Sequence, residues 1–215
     1  MASKRRNSKT MAHHLDIKTA GTTLNEAVKV LIMIHGRGGS AEDILGLTQH
    51  LNVSGYALLA PQATNHTWYP KSFIAPIEQN EPWLSSAINI VDTTVKAAID
   101  AGIKSENIYF FGFSQGACLT LEYLTRNARK FGGVVAIIGG VIGEKINRAN
   151  YGGDFQQTPV FIGTSNPDFH VPIERVFETE NILKEMNALV NLQVYENAGH
   201  AINQEEIEWA NKILS

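Results

Sequence analysis

The sequence predicts an α/β fold with a mostly parallel central sheet and helices on both faces. Short apolar runs recur along the chain, and most are continuously apolar rather than alternating, as strands read when both faces of a parallel sheet are covered. Segments with helical periodicity lie between these runs, the alternation that builds βα units. The chain has 215 residues, of which 44% are hydrophobic and 18% charged, which suits one domain with a sizeable core. No linker, internal repeat or low-complexity tract divides it.

The elements follow in order. "HLDIKTAG" reads as an added antiparallel edge strand, and "VKVLIMI" (28–34) as the first central strand. A helix is expected over 41–51 and a strand over 56–60. From Leu84 to Ala101, Leu84, Ala87, Ile88, Val91, Val95, Ala98 and Ile99 keep the helical period, and Gly102 supplies a left-handed stop. "NIYFFGF" (107–113), "GVVAII" (133–138), "PVFIG" (159–163) and "NLQVYE" (191–196) read as strands. Helices are expected over 115–127, 173–186 and 204–214. The interval 139–158 is too short for a large helical cap.

The formal charge of −3 gives no reason to expect a nucleic-acid partner. It conceals an asymmetry, because residues 1–11 carry Lys4, Arg5, Arg6 and Lys9 without an acid, leaving −7 on the rest. Residues 1–14 are expected to form a solvated basic tail, with a weak anionic-surface anchor as the alternative, and 15–215 the single domain. No apolar run approaches the ~20 residues that span a bilayer, so no stable membrane insertion is expected. No secretory signal is visible and Cys118 is the sole cysteine, which favours a cytoplasmic protein without an internal disulfide.

The strongest motif is Gly112-Phe113-Ser114-Gln115-Gly116, a G-x-S-x-G between a strand-like run and a helix-like pattern. That is the strand–turn–helix setting of a nucleophile elbow. A side chain at Gly112 or Gly116 would crowd the tight turn, and Ser114 would stand in a strained conformation at the sheet's carboxyl edge. The helix N-terminus behind it favours a developing oxyanion. An elbow serine needs an acid and then a histidine later in the chain. His200, just beyond the last strand, is the expected base, with His170 as its competitor in the loop that must supply the acid. Asp168 is the carboxylate of that loop, and Asp154 is the fallback from the wrong side of the strand. Cys118, one helical turn after Ser114, reads as a core residue rather than a nucleophile.

"IHGRGGSAED" (34–43) is ambiguous alone. Gly36, Gly38 and Ala41 satisfy a loose dinucleotide pattern, but the second strand ends in Ala60-Pro61-Gln62, without the acid that would bind a ribose. The long irregular loop "ATNHTWYPKSFIAPIEQNEPW" is of a kind that lines sites. Trp68, Tyr69 and Phe73 either form a substrate pocket or simply pack beneath the loop.

Together "HGRGGSAED", "GFSQGA", "DFHVP" and "AGH" resemble the phospholipase/carboxylesterase branch of the α/β-hydrolase fold, from about Leu15 to the end. The resemblance implies ester or thioester hydrolysis of a small-molecule substrate, a Ser114–Asp168–His200 triad and no cofactor or metal. It also implies an oxyanion hole made by the backbone N–H groups of Arg37 and Gln115. It leaves the choice between monomer and homodimer open. Two features depart from it. Many relatives carry an apolar residue at Arg37, and many place the acid where this chain has Asn166, two residues before Asp168. Arg37, a cation beside the site, points to an anionic substrate. The competing readings are a dienelactone-type hydrolase, whose nucleophile is commonly cysteine, and a non-catalytic binding protein.

Overall fold

The computed structural model describes residues 12–215, so the expected basic segment 1–11 lies outside the described residues. Seven strands form one sheet in the order β1-β3-β2-β4-β5-β6-β7. They are β1 (Ile17–Gly21), β2 (Lys29–Ile34), β3 (Tyr56–Pro61), β4 (Ile108–Phe113), β5 (Gly133–Ile137), β6 (Pro159–Asn166) and β7 (Leu189–Glu196). The expected edge strand β1 runs antiparallel to β3, and every other pairing is parallel. β2 to β5 are almost wholly buried, which explains their uninterrupted apolar sequence.

The helices are α1 (Ala41–Gly46), α2 (Trp83–Asp100), α3 (Gln115–Arg126), α4 (Ile173–Glu185) and α5 (Gln204–Leu214). A Cβ at Gly112 of β4 would press on Ala117 and Thr120 of α3, whereas one at Gly133, the register partner of Tyr109, would meet Ile213 of α5. Gly112 and Tyr109 lie an odd number of residues apart on one strand, so α3 and α5 cover opposite faces. Gly102 ends the α2 turn at φ +90°, the left-handed stop its position predicts.

Two elements differ from expectation. The helix predicted over 41–51 is α1 followed by a 3-10 turn at Leu47–His50, although Ser40 and Asp43 form a full capping box at its start. β6 does not stop at Gly163 but pairs with β7 as far as Asn166↔Glu196. Gly163 is instead a close-approach glycine, because a Cβ there would lie 2.3 Å from the Glu206 Oε1 of α5.

The ordered fold also begins before residue 15. His13 is buried, its Nε2–H donates to the Trp68 carbonyl at 2.8 Å, and its Nδ1 accepts from the Thr64 N–H at 3.2 Å. It thereby anchors the irregular loop that follows β3. The 139–158 connection contains a 3-10 turn at Arg148–Asn150 and an isolated bridge from Gly153 to Ala128, and no cap domain. Buried Glu122 of α3 holds it, accepting from the Ile142 N–H at 2.9 Å and the Tyr151 hydroxyl at 3.1 Å while pairing with Arg126.

The strand order sets the site. From β2 the chain moves outward to β3, then crosses back to β4 on the other side of β2. β2 and β4 therefore flank a topological switch point, where α/β folds place ligands at the carboxyl ends of the strands. Ile34 pairs with Gly112 there, so the loop after β2 and the turn after β4 leave the sheet side by side.

Candidate active site

Ser114 occupies the turn between β4 and α3 with φ 53° and ψ −119°, a conformation that an L-residue adopts only when its surroundings enforce it. The two flanking glycines explain how the turn closes. A Cβ at Gly116 would lie 2.0 Å from the Ile34 carbonyl oxygen, and one at Gly112 would lie 2.7 Å from the Gly116 oxygen. The Ser114 N–H donates to the Ile137 carbonyl at 2.9 Å, tying the elbow to β5.

Three residues from three separate loops meet at this turn. The Ser114 hydroxyl is 2.8 Å from His200 Nε2, and His200 Nδ1 is 2.8 Å from Asp168 Oδ2. An ionised carboxylate only accepts, so Nδ1 carries the proton and Nε2 presents its lone pair to the serine. Asp168 lies two residues beyond the extended end of β6, which is why the acid loop reaches His200 despite its apparent displacement in sequence. Its side chain is 1% exposed. Burial opposes its charge, but hydrogen bonds from His200 and from the N–H groups of His170 and Val171 together outweigh that and hold its carboxyl below the usual range. His170 lies beside this line rather than in it, with its ring edge-on to His200 at 5.0 Å. Asp154 lies elsewhere, bonded to Gln156 and Asn187.

The loop after β2 runs against the elbow. A Cβ at Gly36 would be 3.4 Å from that of Ser114. The Gly36 carbonyl accepts from His35 Nδ1–H at 2.7 Å and from the Gly39 N–H at 3.2 Å. Because the peptide is planar and trans, fixing that carbonyl also fixes the Arg37 N–H, which points the opposite way. His35 is buried, and its Nε2 accepts from the Ala63 N–H at 3.1 Å. Burial lowers its pKa, consistent with a neutral ring that donates at one nitrogen and accepts at the other. His35 has no expected role in the sequence, and its part in shaping the loop emerges only in the fold. The available signal was a histidine immediately before the loop's first glycine. The Gln115 N–H opens α3, where the first turn's N–H groups have no acceptor within the helix.

The side chains of Arg37 and Gln115 both turn to one stretch of the irregular loop. The Arg37 guanidinium donates to the Thr67 hydroxyl and to the carbonyls of Tyr69, Pro70 and Lys71, at 2.7–3.2 Å. Gln115 accepts from the Trp68 N–H at 2.9 Å and donates to the Tyr69 carbonyl at 2.8 Å. The guanidinium expected to face a substrate anion makes its four bonds to neutral acceptors of the loop, and Arg37 also lines the cavity at Ser114. Tyr69 and Phe73 line a cavity of about 610 Å³ that opens on Ser114, together with Ile74, Val171 and Pro172. Trp68 does not border it. Its buried ring lies tilted against those of His13 and His35, at 5.6 and 5.1 Å, and its indole N–H donates to the His35 carbonyl at 2.9 Å. Cys118 reaches the cavity wall, but burial pushes its thiol up to about 12. Among the described residues no group of His, Cys, Asp and Glu is placed to hold a metal ion, and no helix is long and apolar enough to cross a membrane.

Comparison with known proteins agrees with this architecture. A crystal structure of a phospholipase/carboxylesterase from Dyadobacter fermentans superimposes with a TM-score of 0.93 at 52% identity, covering 94% of this chain and 98% of that one. Acyl-protein thioesterase 1 of Saccharomyces cerevisiae is 30% identical over 161 residues, 74% of this chain and 69% of its own. A putative carboxymethylenebutenolidase of Salmonella typhi is 26% identical over 191 residues, 82% of this chain and 68% of its own. The sequence pattern of the phospholipase/carboxylesterase family matches residues 21–215. With an α/β-hydrolase sheet, no cap domain and this match over nearly its whole length, the chain belongs to the phospholipase/carboxylesterase family of carboxylic ester hydrolases.

Proposed function

We propose that the protein hydrolyses carboxylic esters or thioesters of small molecules through an acyl-enzyme on Ser114. The observation that carries this reading is the hydrogen-bonded line from Ser114 through His200 to Asp168, 2.8 Å at each step, on a strained elbow. As Ser114 Oγ attacks the carbonyl, its proton passes to His200 Nε2. Asp168 keeps the ring in the required tautomer and stabilises the imidazolium. The carbonyl oxygen becomes an oxyanion between the N–H groups of Arg37 and Gln115, each worth roughly 3–4 kcal/mol where such donors have been removed singly. The bond to the leaving alcohol or thiol breaks, and that group takes the proton from His200. Water then repeats the sequence, with His200 as base, and frees the acid and Ser114.

The cavity at Ser114 supports an acyl group with apolar character. Tyr69, Phe73, Ile74, Val171 and Pro172 form its wall, while Lys71 and His170 bring polarity to it. This lining supports Tyr69 and Phe73, rather than Trp68, as the members of the aromatic loop that touch substrate. A serine at the elbow and a protonated thiol at Cys118 both favour an ordinary serine esterase over a thiol-dependent lactone hydrolase. Ser114→Ala is expected to lower hydrolysis of p-nitrophenyl butyrate by about 10⁴-fold or more while leaving the fold intact. Activity near that of the unmodified protein would refute the assignment.

A further inference from the structure

A second cavity of about 440 Å³ opens on the other flank of His200, between α1 and the loop carrying the histidine. Ile44, Leu47, Phe113 and Ile202 give it an apolar floor, and Asp43 stands at its edge as the only carboxylate among its lining residues. The side chains of Leu47, Phe113 and Ile202 are half-buried, so each keeps an apolar surface turned outward without belonging to the sealed core. Asp43 is held by the cap of α1, where its Oδ2 accepts from the Ser40 N–H at 2.8 Å. Phe113 lies under the histidine, ring to ring at 5.6 Å.

The residues the two cavities share are informative. Arg37 and His200 line both, whereas Ser114 and Gln115 line only the larger one. The partition between the cavities is therefore the reacting centre itself. In the reaction proposed above, the acyl group stays bonded to Ser114 Oγ after the first step, so it must lie in the cavity that contains Ser114. The leaving group must receive a proton from His200 Nε2 and then depart, and His200 is the catalytic group that faces both sides.

We infer that the second cavity is the leaving-group subsite and that it takes the neutral, apolar alcohol portion of an ester. Its apolar floor rewards alkyl or aryl bulk, and Arg37 is the one Lys or Arg among its lining residues. The Arg37 guanidinium is bonded to the loop on the far side. The inference rests on the hydrolase reading, because the two sides are defined by the fate of the ester bond.

The test compares ethyl acetate, hexyl acetate and ethyl hexanoate in the unmodified protein and in Leu47→Asp, with Leu47→Trp as a second variant that fills the crevice from a half-exposed position. Both variants are expected to lower the hexyl acetate to ethyl acetate ratio of kcat/KM by about tenfold, the scale on which apolar pockets discriminate. The ethyl hexanoate to ethyl acetate ratio should stay within about twofold. A fall in the ethyl hexanoate ratio instead would place the acyl chain in this cavity and overturn the inference. Unchanged ratios in both variants would overturn it as well, with the hydrolase reading intact. Absence of turnover of every ester by the unmodified protein would overturn both.

Discussion

Arg37 separates the work of a backbone from that of a side chain. Its N–H belongs to a peptide fixed by His35 and Gly39, while its guanidinium makes four hydrogen bonds to the 67–71 stretch. Arg37→Leu keeps the peptide and removes the bonds to the cavity wall. It is expected to lower kcat/KM about ten- to hundredfold for neutral and carboxylate-bearing esters alike, since a displaced wall misplaces any substrate. A loss confined to the anionic esters would show that the guanidinium binds substrate. At this scale the sequence was most legible where chemistry forces a residue type. Ser114, Asp168 and His200 stand out because an elbow serine requires an acid and a histidine downstream, and the fold brings these three into one hydrogen-bonded line. His13 and His35 were not legible, because their partners, Trp68, Thr64 and Ala63, lie far along the chain and are joined to them only by folding.

At the scale of elements, the apolar runs located six of the seven strands and "HLDIKTAG" the edge strand β1, and the residual errors have local causes. Gly163 reads as a strand end, yet it lies within β6 because the Glu206 carboxyl of α5 occupies the space of a Cβ. Glu206 is itself part of a capping box with Asn203, whose N–H it accepts at 2.9 Å. This cap closes the loop that carries His200. Burial, only partly offset by the Asn203 N–H, pushes the Glu206 pKa up to about 7. A carboxyl raised above its unfolded value contributes stability below the unfolded pKa, and that contribution is lost as pH rises through the folded one. Glu206→Gln keeps an acceptor for the cap and removes the titration. The variant should therefore melt at a higher temperature than the unmodified protein at pH 8, with the difference shrinking towards pH 5. Thermal denaturation across that range checks it, and a difference independent of pH would show that the carboxyl does not titrate there. The α1 boundary failed for another reason. The 41–51 pattern is apolar at helical spacing, but the turn after Gly46 tightens to 3-10 geometry, which periodicity does not distinguish.

For the whole molecule, strand order does what no single motif does. The reversal at β2 and β4 brings the His35–Arg37 loop beside the Ser114 elbow, and the parallel run to β7 delivers Asp168 and His200 to the same edge. The sequence indicates the α/β class and the direction of most strands. The two cavities and the clamp on the 67–71 stretch arise only from the packing of segments distant in sequence. What this edge does is activate one serine as a nucleophile. Reaction with a fluorophosphonate followed by peptide mapping tests it most directly. One adduct on the Ser114 peptide, lost in His200→Ala although the serine is still present, is the predicted result. No adduct, or one that persists at full rate without His200, would contradict the account.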